Sequence, residues 1–168
     1  AMFHGLYESA PDAIIVVNRE GNIARINVQA ERMFGYRREE LVAQPVEILL
    51  PERFTQRHAD HRNHYMAEPR ARPMGTGMEL FGRRKDGSEL PVDITLGPLE
   101  TDEGLVVLAT VRDITERKRR EEELRLLQEM TQAISESEDF QSAIETALGR
   151  VCGATGWLLG EAWVPSSD

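Results

Sequence analysis

Cysteine is almost missing from this chain of 168 residues: Cys152 is its single one. No internal disulfide can form, and no signal peptide is visible, so the reading is a reducing, cytoplasmic setting. Long apolar runs are missing as well. The longest, AIIVV at 13–17, is far too short to span a bilayer, and no direct membrane contact is expected. Positive charge is outnumbered, with 20 Lys and Arg against 29 Asp and Glu. The resulting charge of −9 disfavours nucleic acid and anionic membranes as partners, because both repel an acidic surface. Also absent are a phosphate-binding glycine loop, a nucleophile elbow and the phosphoacceptor and ATP-binding motifs of a kinase, so no enzyme activity is expected of this chain. Histidine is scarce, four residues in all, yet three of them stand at 58, 61 and 64.

What is present reads as an α+β domain. Forty per cent apolar and 29 per cent charged residues are ordinary for a globular fold. The opening Ala1-Met2 reads as an expression remnant, so the chain is expected to be a piece of a longer protein. DAIIVV (12–17) and IARIN (23–27) flank a turn with Gly21 and two asparagines, a β-hairpin pattern. Its first strand is apolar on both faces and should be central. Asn27 is placed to cap a short helix whose stripe is Ala30, Met33 and Phe34, with Gly35 ending it. A second short helix, RREELVA (37–43), stops before Pro45, and EILLP adds one more turn. Pro51 and Pro69 bound a helix that carries the three histidines. The segment EPRARPMGTG is expected as a loop. Strands are then expected over 77–84, 88–99 and 105–111, the second with Leu90, Val92, Ile94 and Leu96 on one face.

From Asp113 the texture changes. Asp113 and Glu116 have capping-box spacing at the start of a charged helix, and Leu124, Leu127, Thr131 and Ile134 form a short apolar seam. That seam predicts a homodimer joined through residues 113–135, as a coiled coil. The tail, 137–165, reads as a helix and then a strand with Trp157 and Trp163.

On the histidine helix, with Phe54 set at zero, His58 falls at about 40°, Tyr65 at about 20°, His61 at about −20° and His64 at about −80°. His58 and His61 are therefore expected to point inward and His64 outward. A zinc site needs three or four converging ligands, and no cysteine is near, so a metal-dependent hydrolase ranks last among the readings.

The words LYESAPDAIIVVNREGNIARINVQAERMFGY, ELVAQPVEILLPE, GRRKDGSELPVDI and VRDITERK, in that order, resemble a PAS sensor domain of the bacterial S-box type over roughly residues 5 to 118. That resemblance implies a five-stranded antiparallel sheet with short helices on one face around a small cavity, followed here by a linker helix. The implied organisation is a PAS sensor domain over 5–114, an amphipathic signalling helix over 115–136 and a partial GAF-like start over 137–168. It implies a sensory module of a histidine kinase that relays a ligand or redox state to a downstream output domain of the same chain. Asp113, Ile114 and Thr115 would be the relay. A photoactive flavin needs a cysteine that residues 28 to 75 lack.

Within it, RHADHRNHY resembles the haem-helix segment of the oxygen-sensing FixL kinases. That implies an alternative function, a b-type haem gas sensor, with His58 in the place of the proximal ligand. The spacing to Gly75-Thr76-Gly77 and Lys85-Asp86-Gly87 is preserved, but Met78 stands where those kinases place an arginine over bound oxygen. A thioether could fill the pocket or ligate the iron, as a methionine aligned closer to Thr76 does in another haem-PAS family. His61 completes the cofactor-facing set, and Arg70 and Arg72 could pair with the haem carboxylates.

Overall fold

The computed structural model describes residues 2–67, 69–74, 78–102, 104–135 and 140–163. The chain divides into two compact units, Ala1–Thr115 and Glu116–Asp168. In the first, strands β1 (Ala13–Val17) and β2 (Ile23–Ile26) form the expected hairpin. Its turn needs Gly21, whose φ is +91°, a left-handed conformation that a side chain disfavours. Helices α2 (Val28–Phe34) and α3 (Arg38–Leu41) follow, then a 3₁₀ turn (Val46–Leu49) and helix α4 (Glu52–Ala67). Strands β4 (Leu80–Arg83), β5 (Glu89–Thr101) and β6 (Gly104–Asp113) complete the main sheet. A helix, α1 (Met2–Glu8), that the sequence did not announce opens the chain.

The sheet order is β2-β1-β6-β5, and β4 pairs with the outer edge of β5. The count differs from the expected five strands by one. Arg72–Pro73, inside the stretch read as a loop, forms a two-residue strand β3. It pairs with β5 at Leu96 and Thr95, beyond the β4 pairing at residues 89–92. β5 is long enough to offer one edge to both, and proline is tolerated at such an edge because its missing N–H can face solvent.

The core lies between the helices and the sheet. Ile15, Ile26, Leu90, Val92 and Val111 from strands meet Ala30, Phe34, Leu41 and Leu49 from the helical segment. Asn27 sits fully buried among them, and its burial is tolerated because both ends of its amide are bonded. Its Oδ1 accepts from the Ala30 and Ile14 amides at 3.0 and 2.9 Å, and its Nδ2 donates to the carbonyls of Asp12 and Tyr7 at 3.0 and 3.2 Å. One residue thus caps α2 and ties it to β1 and α1. Gly35 ends α2 at φ +75°, as its place after Phe34 foretold.

The second unit contains α5 (Thr115–Ser135) and α6 (Phe140–Thr155). Along α5 the side chains of Leu124 and Leu127 are 60% and 59% exposed, so the first half of the apolar seam faces solvent in the single chain. Thr131 is exposed and its hydroxyl donates to the Leu127 carbonyl at 2.8 Å; the Ile134 side chain lies outside the described residues. The expected tail strand is not formed among residues 156–163. No neighbouring strand is described there for it to pair with, and Trp157 and Trp163 are exposed.

Candidate functional site

Helix α4 is fixed at both ends. At its start, Arg53 lies over the rings of Phe54 and Phe81, 4.6 and 5.7 Å from their centroids, while Glu89 on β5 grips its guanidinium. Near its end, the buried Tyr65 donates its hydroxyl to the Arg70 carbonyl at 2.7 Å, and Arg72 stacks 5.2 Å from the same ring. Arg70 and Arg72 are thereby tied to the end of the helix.

Between these anchors the helix presents a polar cluster. His58 Nδ1 lies 3.0 Å from Oε1 of Glu47, and Nη1 of Arg62 lies 2.6 Å from that same oxygen. The three side chains are only 19%, 12% and 18% exposed for His58, Glu47 and Arg62, so solvent screens them weakly. Arg62 also rests on Gly21 in the β1–β2 turn, where a Cβ would overlap its guanidinium. Its Nε is buried without a hydrogen-bond partner among the described residues. Glu47 comes from the 3₁₀ turn, so the cluster joins that turn, α4 and the first hairpin.

This arrangement rotates α4 from the expected orientation. Its protected arc runs from Phe54 at zero, through Tyr65, His58 and Arg62, to Ala59 at about 140°. The expected face was centred near Phe54; the observed one is centred nearer Arg62. His58 stays inside, but His61 is exposed, a correction to the inward pair, and His64 is exposed as foreseen. Arg62, at about 80° on the helix, faces inward to the Glu47 carboxylate.

The other predicted residues do not join His58. Met78 is 64% exposed, and Arg70 and Arg72 are exposed at the end of α4. Gly75, Thr76 and Gly77 lie outside the described residues. Among the described residues, no group of three His, Cys, Asp or Glu is placed to hold a metal ion. No helix described is long and apolar enough to cross a membrane. Sequence reasoning missed Glu47, Arg62 and Gly21. The i,i+4 spacing of His58 and Arg62 was visible, but nothing in the sequence placed Glu47 opposite them.

Of these side chains, His58 is the one whose chemistry would suit a haem iron, as a single imidazole ligand. An ionised carboxylate can only accept hydrogen bonds, so Glu47 calls for a proton on His58 Nδ1. Nε2 has no hydrogen-bond partner among the described residues, and its lone pair remains for a metal.

At the end of β6, Asp113 Oδ1 accepts from the Thr115 amide at 2.8 Å and the Thr115 hydroxyl at 2.6 Å. Arg84 Nη2 lies 3.4 Å from the other carboxylate oxygen. Ile114 is buried, and its N–H donates to the Pro91 carbonyl at 3.1 Å. Asp113 makes the cap; Glu116, expected to fold back, is seen to pair with Arg119 at 3.4 Å. A shallow cleft lined by Pro11, Gln29, Arg32, Met33, Arg84 and Asp113 adjoins this point.

Comparison with known proteins finds the family described as PAS domain matching residues 11–116. The chain is 31% identical over 123 residues to Sensor protein FixL of Bradyrhizobium diazoefficiens, covering 73% of this chain and 24% of that one. It is 27% identical over 113 residues to the Oxygen sensor protein DosP of Escherichia coli, covering 67% and 14%. It is also 27% identical over 165 residues to the Cell-division control histidine kinase PdhS of Brucella ovis, covering 95% and 16%. The chain therefore spans about a quarter or less of these relatives. Among solved structures, the PAS domain of a protein from Colwellia psychrerythraea superposes with a TM-score of 0.59 at 23% identity, covering 68% of this chain and 96% of that one. That likeness shows the fold.

Proposed function

The chain belongs to the PAS domain family, and from that premise we propose that it is the sensory module of a bacterial signal-transduction protein, a cytoplasmic histidine kinase. Its organisation in this reading is a sensor domain over 5–114, a signalling helix over 115–136 and the start of a GAF-like domain over 137–168. The module does no chemistry itself; it passes a ligand or redox state through a dimeric helix to an output domain of the same chain. The likeness to a relative named a histidine kinase over 95% of this chain supports the kinase assignment.

The observation that carries the relay is the bonding around residues 113–115. Asp113 reaches both Arg84, next to β4, and Thr115, the first residue of α5. Ile114 between them is buried and bonded to Pro91 of β5. A shift of the β4–β5 edge thus acts on the residues where the helix begins. In the full-length protein, Asp113→Ala should change basal autophosphorylation while the unfolding midpoint of the 168-residue chain falls only modestly. Autophosphorylation identical to the parent's would count against the relay.

A second reading, a b-type haem gas sensor, is favoured by the Glu47–His58 pair and by the likeness to a relative named an oxygen sensor. His58 would hold the group through Nε2; Arg70, Arg72 and Met78, the other candidates for this reading, are exposed and do not join it in the described structure. When bound, the haem supplies an iron centre that takes a diatomic gas. The chain's own part is to present one oriented imidazole. After haem reconstitution, a Soret band that disappears in His58→Ala is the expected result. A featureless wild-type spectrum would remove this reading and leave the first intact.

A further inference from the structure

We propose that Glu47 is the positioning residue of His58: it selects the Nδ1–H tautomer and leaves Nε2 as the one ligating nitrogen. The inference rests on the haem reading for its purpose, but its physical content concerns the metal-free chain.

Glu47 Oε1 receives two groups, His58 Nδ1 at 3.0 Å and Arg62 Nη1 at 2.6 Å. Arg62 donates to the same oxygen, and a carboxylate that accepts from two sides has no proton to give to a third group. The hydrogen between Glu47 and His58 therefore belongs to the imidazole. In a neutral ring that fixes the proton on Nδ1 and the lone pair on Nε2. Free imidazole side chains in water favour the opposite tautomer, so the selection is made by the fold.

The carboxylate is itself aimed. Arg62 can approach it because Gly21 has no side chain, and the guanidinium occupies the space a Cβ would take. Gly21, Arg62, Glu47 and His58 form a chain of contacts from the first hairpin to the ring. All three charged or polar side chains are mostly withdrawn from solvent, so the hydrogen bond is not exchanged freely for water. A carboxylate behind a ligating histidine orients the ring and makes the opposite nitrogen a stronger donor.

Two measurements on the 168-residue chain test this. Long-range proton–nitrogen correlation of the metal-free protein, at a pH where His58 is neutral, should show Nδ1 protonated and Nε2 bare. Glu47→Ala should move His58 toward the Nε2–H form, whereas Glu47→Gln, which keeps an acceptor oxygen, should retain the wild-type pattern. A wild-type ring already protonated at Nε2, or a pattern unchanged in Glu47→Ala, would overturn the proposal; the first outcome needs no variant to fold. In haem-reconstituted protein, Glu47→Gln should lower the iron–histidine stretching frequency, and Glu47→Ala should weaken haem binding by about 10–100-fold. Failure of wild-type protein to give a Soret band would sink the haem reading alone, since the tautomer is read without haem.

Discussion

The guanidinium of Arg62 lies against the bare α-carbon of Gly21, in the space that any larger residue would fill with its Cβ. Because Gly21 also holds φ at +91°, its replacement meets two obstacles, a left-handed backbone and a displaced ion pair. Gly21→Ala is expected to destabilise the domain by about 1–3 kcal/mol, of which about 1–2 is backbone strain. Urea unfolding measures the total. Adding Arg62→Ala on top removes the clash but not the strain, so the cost of Gly21→Ala should shrink in that background. Equal costs in both backgrounds would show that the contact is unimportant.

Asn27 makes four hydrogen bonds from a fully buried position. Asn27→Ala removes the cap of α2 and leaves the Ile14 amide and two carbonyls to find other partners. The expected loss is about 2–4 kcal/mol, above that of an exposed cap. A loss below that of an ordinary surface substitution would mean that water replaces the side chain at little cost.

Arg112 grips Asp12 with two hydrogen bonds, of 3.0 and 2.7 Å, joining β6 to the residue before β1. That hydrogen bonding holds the Asp12 carboxyl below its ordinary pKa, burial opposing it. A depressed folded value means stability that is present above the unfolded pKa and lost as pH falls through the folded one. Asp12→Asn should therefore cost about 0.5–1 kcal/mol at neutral pH, modest because Arg112 is largely exposed. The gap from wild type should close as pH drops below about 4. Unfolding midpoints recorded from pH 7 to pH 2.5 would reveal this; a gap independent of pH would exclude the ionic origin.

Leu124 and Leu127 stand three residues apart on α5 with their side chains mostly in solvent. If this seam joins two copies of the chain, Leu124→Asp with Leu127→Asp should convert dimer to monomer by light scattering, without altering the unfolding of residues 1–115. A wild-type chain that is monomeric at high concentration would end the dimer reading.

The sequence by itself determined five of the strands, the first hairpin and the order of the short helices. Those features come from local rules: period-two alternation in β5, an unbroken apolar run in β1, glycines at 21 and 35, and an asparagine before α2. Each element follows from contacts within a few residues, so the string is enough. It also picked His58 and His61 as an inward pair, because both share a helical face with Phe54 and Tyr65, and of the two only His58 lies inside.

What surrounds His58 was decided only by the tertiary structure. A face drawn from hydrophobicity cannot foresee that Arg62 turns inward, because its reason lies 15 residues away in Glu47. The same rotation carries His61 out to solvent. The short strand at Arg72–Pro73 is likewise non-local, since it exists only because β5 extends past β4 and leaves an edge to fill. Sequence patterning reads free energies that add along the chain, whereas an ion pair behind a buried imidazole depends on two segments meeting in space.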